Sequence, residues 1–350
     1  MNKPSKVWFL TWSERARLAD FLKAAGLPKL LSKDDKVAIK THFGEKGNKG
    51  YVKPEFFPPI IRMVRDAKAH PFLTDTNTIY HGERNNAAGH LAVAASHGFS
   101  TEKLGTPIII ADGDRGEDYD EIKIKGQHFK KVKIGRPIAA ADMIIAVSHF
   151  KGHLLAGFGG AMKNLGMGCG ARAGKFEMHS TVSPTVHVSK CTGCGACVEV
   201  CAQEALEVAD GKITLDTKKC AGCGECILAC PEGALKITWS EPGKNVQEKF
   251  VEYAMGAVKD KKLFCVTFVY HITPNCDCLG VDEKPMTGDI GILTSTDPVA
   301  IDQAAVDLTL KKAGSDILKK AHPNIDYHVQ LIYGEKRGLG TRSYELMSMP

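Results

Sequence analysis

The sequence predicts an α/β fold: a mixed, mostly parallel sheet with helices, interrupted by a small cysteine-rich insert. Three observations predict it. Short apolar runs that read as buried strands alternate with helical patterns along most of the 350 residues. Polar residues gather in the loops after several of those runs, as happens where parallel strands end at a shared ligand-binding edge. One internal stretch, residues 187–238, carries eight of the twelve cysteines in a repeated spacing.

The elements follow in order. KVWFL (Lys6–Leu10) is a strand, and ERARLADFLKAAG is a helix that Ser13 caps and Gly26 ends. KVAIKTHF (Lys36–Phe43) is the next strand, with PEFFPPIIRMVRDAK helical after it. PFLTDT (Pro71–Thr76), the helical ERNNAAGHLAVAASHGF, PIIIAD (Pro107–Asp112) and MIIAVSHF (Met143–Phe150) continue the alternation. Beyond the insert come the helical QEKFVEYAMGAVKD, then the strands LFCVTFVY (Leu263–Tyr270) and DIGILTS (Asp289–Ser295). DPVAIDQAAVDLTLKKAG closes the pattern, with Asp297 and Asp302 capping and opening its helix and Pro298 in the first turn. The domain boundaries are therefore 1–186 and 239–350 for two parts of one α/β domain, and 187–238 for the insert.

Composition excludes several classes. A hydrophobic content of 43% and a charged content of 25% are those of an ordinary globular protein. No apolar run reaches the roughly 18 residues of a membrane span. The N-terminal apolar run is too short for a signal peptide, so a cytoplasmic location is expected. The net charge is +6, yet the insert holds five Lys/Arg against seven Asp/Glu, so the positive surplus lies in the flanks. That surplus either attracts an anionic ligand or sits on solvated faces. No basic stripe interleaved with aromatics points to nucleic acid.

Twelve cysteines without a secretion signal argue for metal ligation over disulfides. CTGCGACVEVC (Cys191–Cys201) and CAGCGECILAC (Cys220–Cys230) are each C-x2-C-x2-C-x3-C. In this spacing three cysteines of a tight loop bind one iron–sulfur cubane, and the fourth reaches the other cluster. Cys191, Cys194, Cys197 and Cys230 are thus assigned to one [4Fe–4S] cluster. Cys220, Cys223, Cys226 and Cys201 are assigned to a second. Gly193, Gly195, Gly222 and Gly224 allow the tight loops. Zinc on the same thiolates is the competing reading. The block resembles a bacterial two-cluster ferredoxin, except that Ala202 stands where the second motif has Pro231.

Outside the block, the strand-end loops KTHFGEKGN, DTNTIYHGERN, ADGDRGED and SHFKGH hold His42, Asn48, Asp75, Asn77, Arg84, His149 and His153. Each serves either a turn or a ligand. GHLLAGFGGAMKNLGMGCG (Gly152–Gly170) has seven glycines among apolar residues. Gly157, Gly159 and Gly160 are candidates to let backbone approach a cofactor and offer N–H groups to an anion, although no phosphate-loop signature is present. Lys163, Gly166, Gly168, Cys169, Arg172, Lys175 and His179 follow. HITPNCDC adds His271, Cys276 and Cys278. C-x-C suits a soft metal or a redox pair, and Cys169, Cys276 and Cys278 are candidates for a third metal site. Buried, reduced, unligated cysteines are the alternative.

Taken together, IKTHFGEKGN, DTNTIYHGERN, GHLLAGFGGAMKNLGMGCG, ITPNCDC and DIGILTSTDPVAIDQAAVD resemble the domain of unknown function 362 family in its ferredoxin-carrying branch. That resemblance implies a fold and clusters but no reaction. Separately, HLLAGFGGAMK is similar to the H-x-x-A-G-[FY]-x-G-G-x-K stretch of nickel-pincer lactate racemases. This implies a catalytic base at His153, a cofactor anchor at Lys163 and a metal-binding histidine at His179. Met162 replaces the basic residue usual before the lysine, and Cys169 is additional.

The sequence therefore suggests an iron–sulfur oxidoreductase of anaerobic-type metabolism, with two [4Fe–4S] clusters passing electrons to a site in the α/β domain. His153 is the candidate proton carrier, and Lys163 the contact for an anionic or covalent cofactor. A redox partner protein or small electron donor, a small-molecule substrate and an additional metal or nucleotide-like cofactor are the expected partners. The alternatives are a non-enzymatic electron carrier or cluster-holding subunit, and a metal-dependent isomerase related to the racemases.

Overall fold

Strand residues alternate between two apolar layers, and this alternation organises the fold. A computed structural model describes residues 3–349, apart from 81, 181–182, 202, 221–223 and 239–240. The main sheet has eight strands, numbered here in chain order: β1 (Ser5–Thr11), β2 (Lys36–Lys40), β3 (His70–Asp75), β4 (Ile108–Ile110), β5 (Met143–His149), β6 (Lys262–Val269), β7 (Gly291–Ser295) and β8 (Tyr344–Ser348). Their order across the sheet is β8-β1-β7-β6-β5-β2-β3-β4. Only β7 runs against the others, pairing antiparallel with both β1 and β6. Every other neighbouring pair is parallel.

Val37, Ile39, Met143, Ile145 and Val147 pack on one face with the helices Leu18–Ala24 and Phe57–Asp66. Ala38, Ile144 and Ala146 pack on the other with the helices Ala161–Cys169, Gly243–Val258 and Pro298–Ala313. Side chains that point to opposite faces at each step, both faces being covered, explain the near-continuous apolar runs of the central strands. Fully burying a residue such as Phe250 or Phe264 contributes about 1.5–3 kcal/mol.

Three details differ from expectation. Ser13 caps no helix: it lies inside a 3-10 turn, Trp12–Arg17, that precedes the α-helix. Asp297 does cap Pro298–Ala313, accepting from the N–H groups of Val299 and Ala300 at 2.9 Å each. Asp302 instead reaches across to another helix. Its carboxylate accepts from Ala161 N (2.7 Å) and Met162 N (2.9 Å), and so caps Ala161–Cys169 from outside. The edge strand β8 escaped the sequence reading because an edge lacks an apolar run on both faces. No helix among the described residues is long and apolar enough to cross a membrane.

The cysteine-rich block leaves and re-enters this body side by side. Thr185–Val186 pairs antiparallel with Leu235–Lys236, and Leu206–Ala209 pairs with Lys212–Leu215. Between them Leu206, Ile213, Ile227 and Leu235 form a separate small apolar core.

Candidate functional site

At the carboxyl ends of β2, β3, β5 and β6 lies a cleft of about 820 Å³. Such edges collect ligands in open α/β sheets because several loops converge there. Buried charges line it in pairs. Lys40 Nζ sits 2.9 Å from Asp75 Oδ1, and both side chains are almost fully enclosed. Burial alone would raise the Asp75 pKa, but Lys40, His90 and His42 together outweigh it and hold the carboxyl well below its usual range. Arg84, buried, donates from Nε to Glu45 Oε2 (3.0 Å) and from a terminal nitrogen to the Tyr80 hydroxyl (2.7 Å). Lys151 Nζ lies 3.2 Å from Asp277 Oδ2, and His149 Nδ1 lies 3.0 Å from both Asp277 oxygens. Burial again opposes ionisation of Asp277, while His149 and Lys151 overcome it.

Lys163 and Lys175 also line the cleft, yet among the described residues neither has a carboxylate at salt-bridge distance. Lys175 donates to the Thr76 hydroxyl and to Gly170 O (2.8 Å). Burial lowers its pKa to about 8.

His153, Lys163 and His179 all line this one cleft, together with Cys276 and Cys278. Donor atoms of His153, Cys276 and Cys278 lie within 4.8 Å of one another. Lys163 Nζ is 3.9 Å from Cys276 Sγ. The hydrogen bond from the Cys278 thiol lowers the Cys276 pKa well below its ordinary value, and Lys163 and Lys151 reinforce it against the opposing effect of burial. The same contact and burial raise that of Cys278.

Burial, then Lys163 and His179, push His153 well below the usual imidazole range; burial takes His179 down to about 3. His153 Nδ1 accepts from the N–H groups of Leu155 (3.2 Å) and Ala156 (3.1 Å). A backbone N–H can only donate, so Nδ1 bears the lone pair and the neutral ring carries its proton on Nε2.

The loop that presents the sulfurs is fixed locally. Asn275 donates from its backbone and side chain to Glu283 at 3.0 and 2.7 Å, and Leu279 N closes a turn onto Cys276 O at 2.9 Å.

Cys169 is placed elsewhere: it is buried in the apolar core, absent from the cleft wall, and burial raises its pKa to about 11. His271 is likewise outside the lining. Of the candidate glycines, Gly160 reaches the cleft, whereas Gly157 and Gly159 do not line it. Many of the glycines meet protein. A Cβ at Gly157, where φ is +75°, would strike Tyr327, and one at Gly166 would run into the Phe250 carbonyl. The N–H groups that an anion would have used at the start of Ala161–Cys169 are taken by Asp302, whose pKa burial raises to about 7. Sequence reasoning missed Asn164. Its side chain accepts from Lys40 Nζ (2.8 Å) and donates to Lys40 O, Val147 O and Ser148 Oγ, tying the helix to the strand ends.

Cys191, Cys194, Cys197 and Cys230 line a single small cavity, with Gly193 and Gly195 in its wall. Cys201, Cys220 and Cys226 line a second, larger one against the α/β body, near Ala173 and Lys133. Cys223, Gly222 and Ala202 lie outside the described residues. Backbone N–H groups point at the sulfurs: Gly193 and Ile213 at Cys191 (3.4 and 3.3 Å), Ala205 at Cys201 (3.3 Å) and Ala234 at Cys230 (3.2 Å).

Between block and cleft stands the two-turn helix Arg172–His179. Phe176 belongs to the small core of the block. Lys175 and His179, four residues apart and therefore on one face, line the cleft. Arg172, buried, donates to Thr78 O in the body (3.2 Å) and to Glu225 in the block (3.0 Å).

The fold and this edge site define an α/β protein with a cysteine-rich block beside a polar cleft. The chain belongs to the family described as domain of unknown function DUF362, whose model matches residues 37–307. No curated protein matches it in sequence. Among solved structures it is similar to the lactate racemase apoprotein from Thermoanaerobacterium thermosaccharolyticum, at 12% identity and a TM-score of 0.39, over 77% of this chain and 52% of that one. It is also similar to a protein from Thermotoga maritima, at 9% identity and a TM-score of 0.41, over 85% of this chain and 59% of that one. The chain thus spans a little over half the length of the structures it matches.

Proposed function

We propose that this protein is an iron–sulfur redox enzyme in which residues 187–238 form an inserted ferredoxin-type unit serving the cleft. Cys191, Cys194, Cys197 and Cys230 would hold one [4Fe–4S] cluster, and Cys201, Cys220, Cys223 and Cys226 the other. The donor set fits: four thiols share one cavity, three more share the next, and N–H groups aim at sulfurs as they do where thiolate charge must be stabilised. Such clusters supply single electrons.

The observation that carries the reading is the helix Arg172–His179. One short element is rooted in the block through Phe176 and lines the cleft with Lys175 and His179. A carrier needs only a docking surface. An 820 Å³ cleft with paired buried charges and two lysines without a carboxylate partner among the described residues favours a substrate site. Lys163 and Lys175 would bind an anionic group of the substrate, and the neutral His153 would donate from Nε2.

Anaerobic reconstitution tests this. The two-cubane assignment expects about eight irons per chain and, after reduction, two magnetically interacting paramagnets. Lys163→Ala and His153→Ala should keep the iron. About four irons, or tightly held zinc without iron, overturns the assignment.

A further inference from the structure

The Cys276-Asp277-Cys278 loop carries chemistry that the cluster assignment does not use. We propose that Cys276 and Cys278 form a redox-active dithiol that exchanges with a small disulfide substrate in the cleft, Cys276 attacking and Cys278 resolving. The electron-supply part of this rests on the function proposed above; the exchange step does not.

Four observations carry it. Both sulfurs line the cleft, one loop residue apart, with their donor atoms inside the 4.8 Å group. Lys163 Nζ approaches Cys276 Sγ, and Lys151 stands beside the loop, so positive charge faces the attacking sulfur. The two sulfurs lie close enough to share one proton, and the lysine 3.9 Å from Cys276 favours that sulfur as the thiolate, the form that attacks sulfur. His153 completes the surroundings as a donor. With Nδ1 accepting two backbone N–H groups and the proton on Nε2, neither ring nitrogen offers a free lone pair to a metal. A metal-binding histidine does the reverse, donating its second nitrogen to an acceptor. The same three residues that could surround a metal are therefore set to stabilise a thiolate.

The steps balance. The Cys276 thiolate attacks one sulfur of the substrate RSSR, the S–S bond breaks, and RS⁻ leaves a mixed disulfide on Cys276. Cys278 gives up its proton and attacks the Cys276 sulfur, forming the Cys276–Cys278 disulfide and expelling the second RS group. The products are RS⁻ and RSH. Two electrons, delivered singly by an iron–sulfur donor, and one proton return the disulfide to thiolate and thiol.

The test uses anaerobic, iron-loaded protein equilibrated in buffers of reduced and oxidised dithiothreitol, blocked with iodoacetamide and digested. The peptide spanning both cysteines should pass from doubly alkylated to an unalkylated form lacking two hydrogens. Cys278→Ser should instead trap a mixed disulfide at Cys276 with dithiobis(nitrobenzoate). In wild type, Cys276 should alkylate at neutral pH about tenfold faster than an unperturbed thiol, which is only a few per cent ionised there. Lys163→Ala should reduce that advantage. A peptide that stays doubly alkylated across the series overturns the proposal. So does a stoichiometric non-iron metal retained by wild type and lost in Cys276→Ser. Iron content and cluster absorbance are read in the same samples. Loss of iron with a cycling peptide condemns the cluster reading alone, and intact iron with an inert peptide condemns the dithiol alone.

Discussion

Every residue around the cavity of Cys191, Cys194, Cys197 and Cys230 comes from positions 191–235, whereas the cleft draws its wall from segments as distant as Lys40 and Gly280. The block gathers its chemistry by local spacing, around a core of a few apolar side chains. The cleft gathers its chemistry through the sheet, because parallel strands deliver Lys40, Asp75, His149 and the Cys276 loop to one edge. Damage should therefore stay local in the block and spread through the body from the cleft.

The largest effect should come from removing one region entirely. Replacing Val188–Ile237 with a short Gly/Ser linker should abolish iron binding while the remaining sheet still unfolds cooperatively, because Thr185–Val186 and Leu235–Lys236 bring the cut ends together. The deletion exposes Phe176, now buried in the block core, at a cost of about 1.5–3 kcal/mol. Calorimetry should show a lowered but single transition. A protein that aggregates or melts without cooperativity would mean that the block is part of the body's core.

Lys40→Met probes the opposite region with one side chain. It leaves Asp75 buried without its 2.9 Å partner and removes the ammonium that Asn164 accepts from. Breaking one half of a buried pair costs about 3–5 kcal/mol. Urea unfolding should register that loss, and hydrogen exchange should quicken across β2, β3 and β5 while the block keeps its protection. Quickening confined to the cleft loops would break the contrast.

The two regions were also unequally legible. The grouping of the block cysteines is legible from C-x2-C-x2-C-x3-C because the tight loop enforces its own geometry, and seven of the eight line two cavities. The alternation of apolar runs gave the α/β class, and His153, Lys163 and His179 could be singled out from one contiguous stretch. Cys169 misled because proximity in sequence says nothing about helix face: six residues after Lys163, it lies about 240° round the helix. Asn164 and Asp302 were invisible in their actual roles, since their partners lie in other elements. Asp302 is 141 positions from the helix N–H group it holds. The glycines of Gly152–Gly170 looked like a ligand cradle, yet Gly157 and Gly166 are required by Tyr327 and the Phe250 carbonyl.

A smaller effect, in the same pH sense as the paired carboxylates Asp75 and Asp277 but at alkaline pH, should come from Lys175. Its pKa falls from 10.5 unfolded to about 8 folded, mainly through burial. Between those values the unfolded chain binds the extra proton, so stability rises with pH across the window and is lost as pH falls through about 8. The span amounts to about 3–4 kcal/mol for a shift of this size. Lys175→Met should flatten the dependence of chemical-denaturation midpoints between pH 8 and 10. An anionic cleft ligand should raise the lysine's pKa and take up a proton on binding, detectable by calorimetry in buffers of different ionisation heat. An unchanged pH slope in Lys175→Met would show that the ammonium is better solvated than its surroundings indicate.

The smallest effect concerns the join itself. Glu225 is about a quarter exposed and faces Arg172, which is almost fully buried. Burial raises the Glu225 pKa, and Arg172 opposes that rise. Glu225→Gln removes the charge but keeps the shape, and Arg172 still donates to Thr78 O and Asn85 O. With those acceptors in place, the loss should be about 1 kcal/mol, the value of one partly solvated charge-assisted hydrogen bond. Global unfolding should barely move. What should change is the coupling between regions. Amides of the helix Arg172–His179 and of residues 224–230 should exchange faster, since Arg172 and Phe176 are two points at which that helix grips the block. If exchange rises in the block but not in the helix, the helix is anchored by the body alone. The route joining the two regions would then run through Phe176 packing and not through the charge pair.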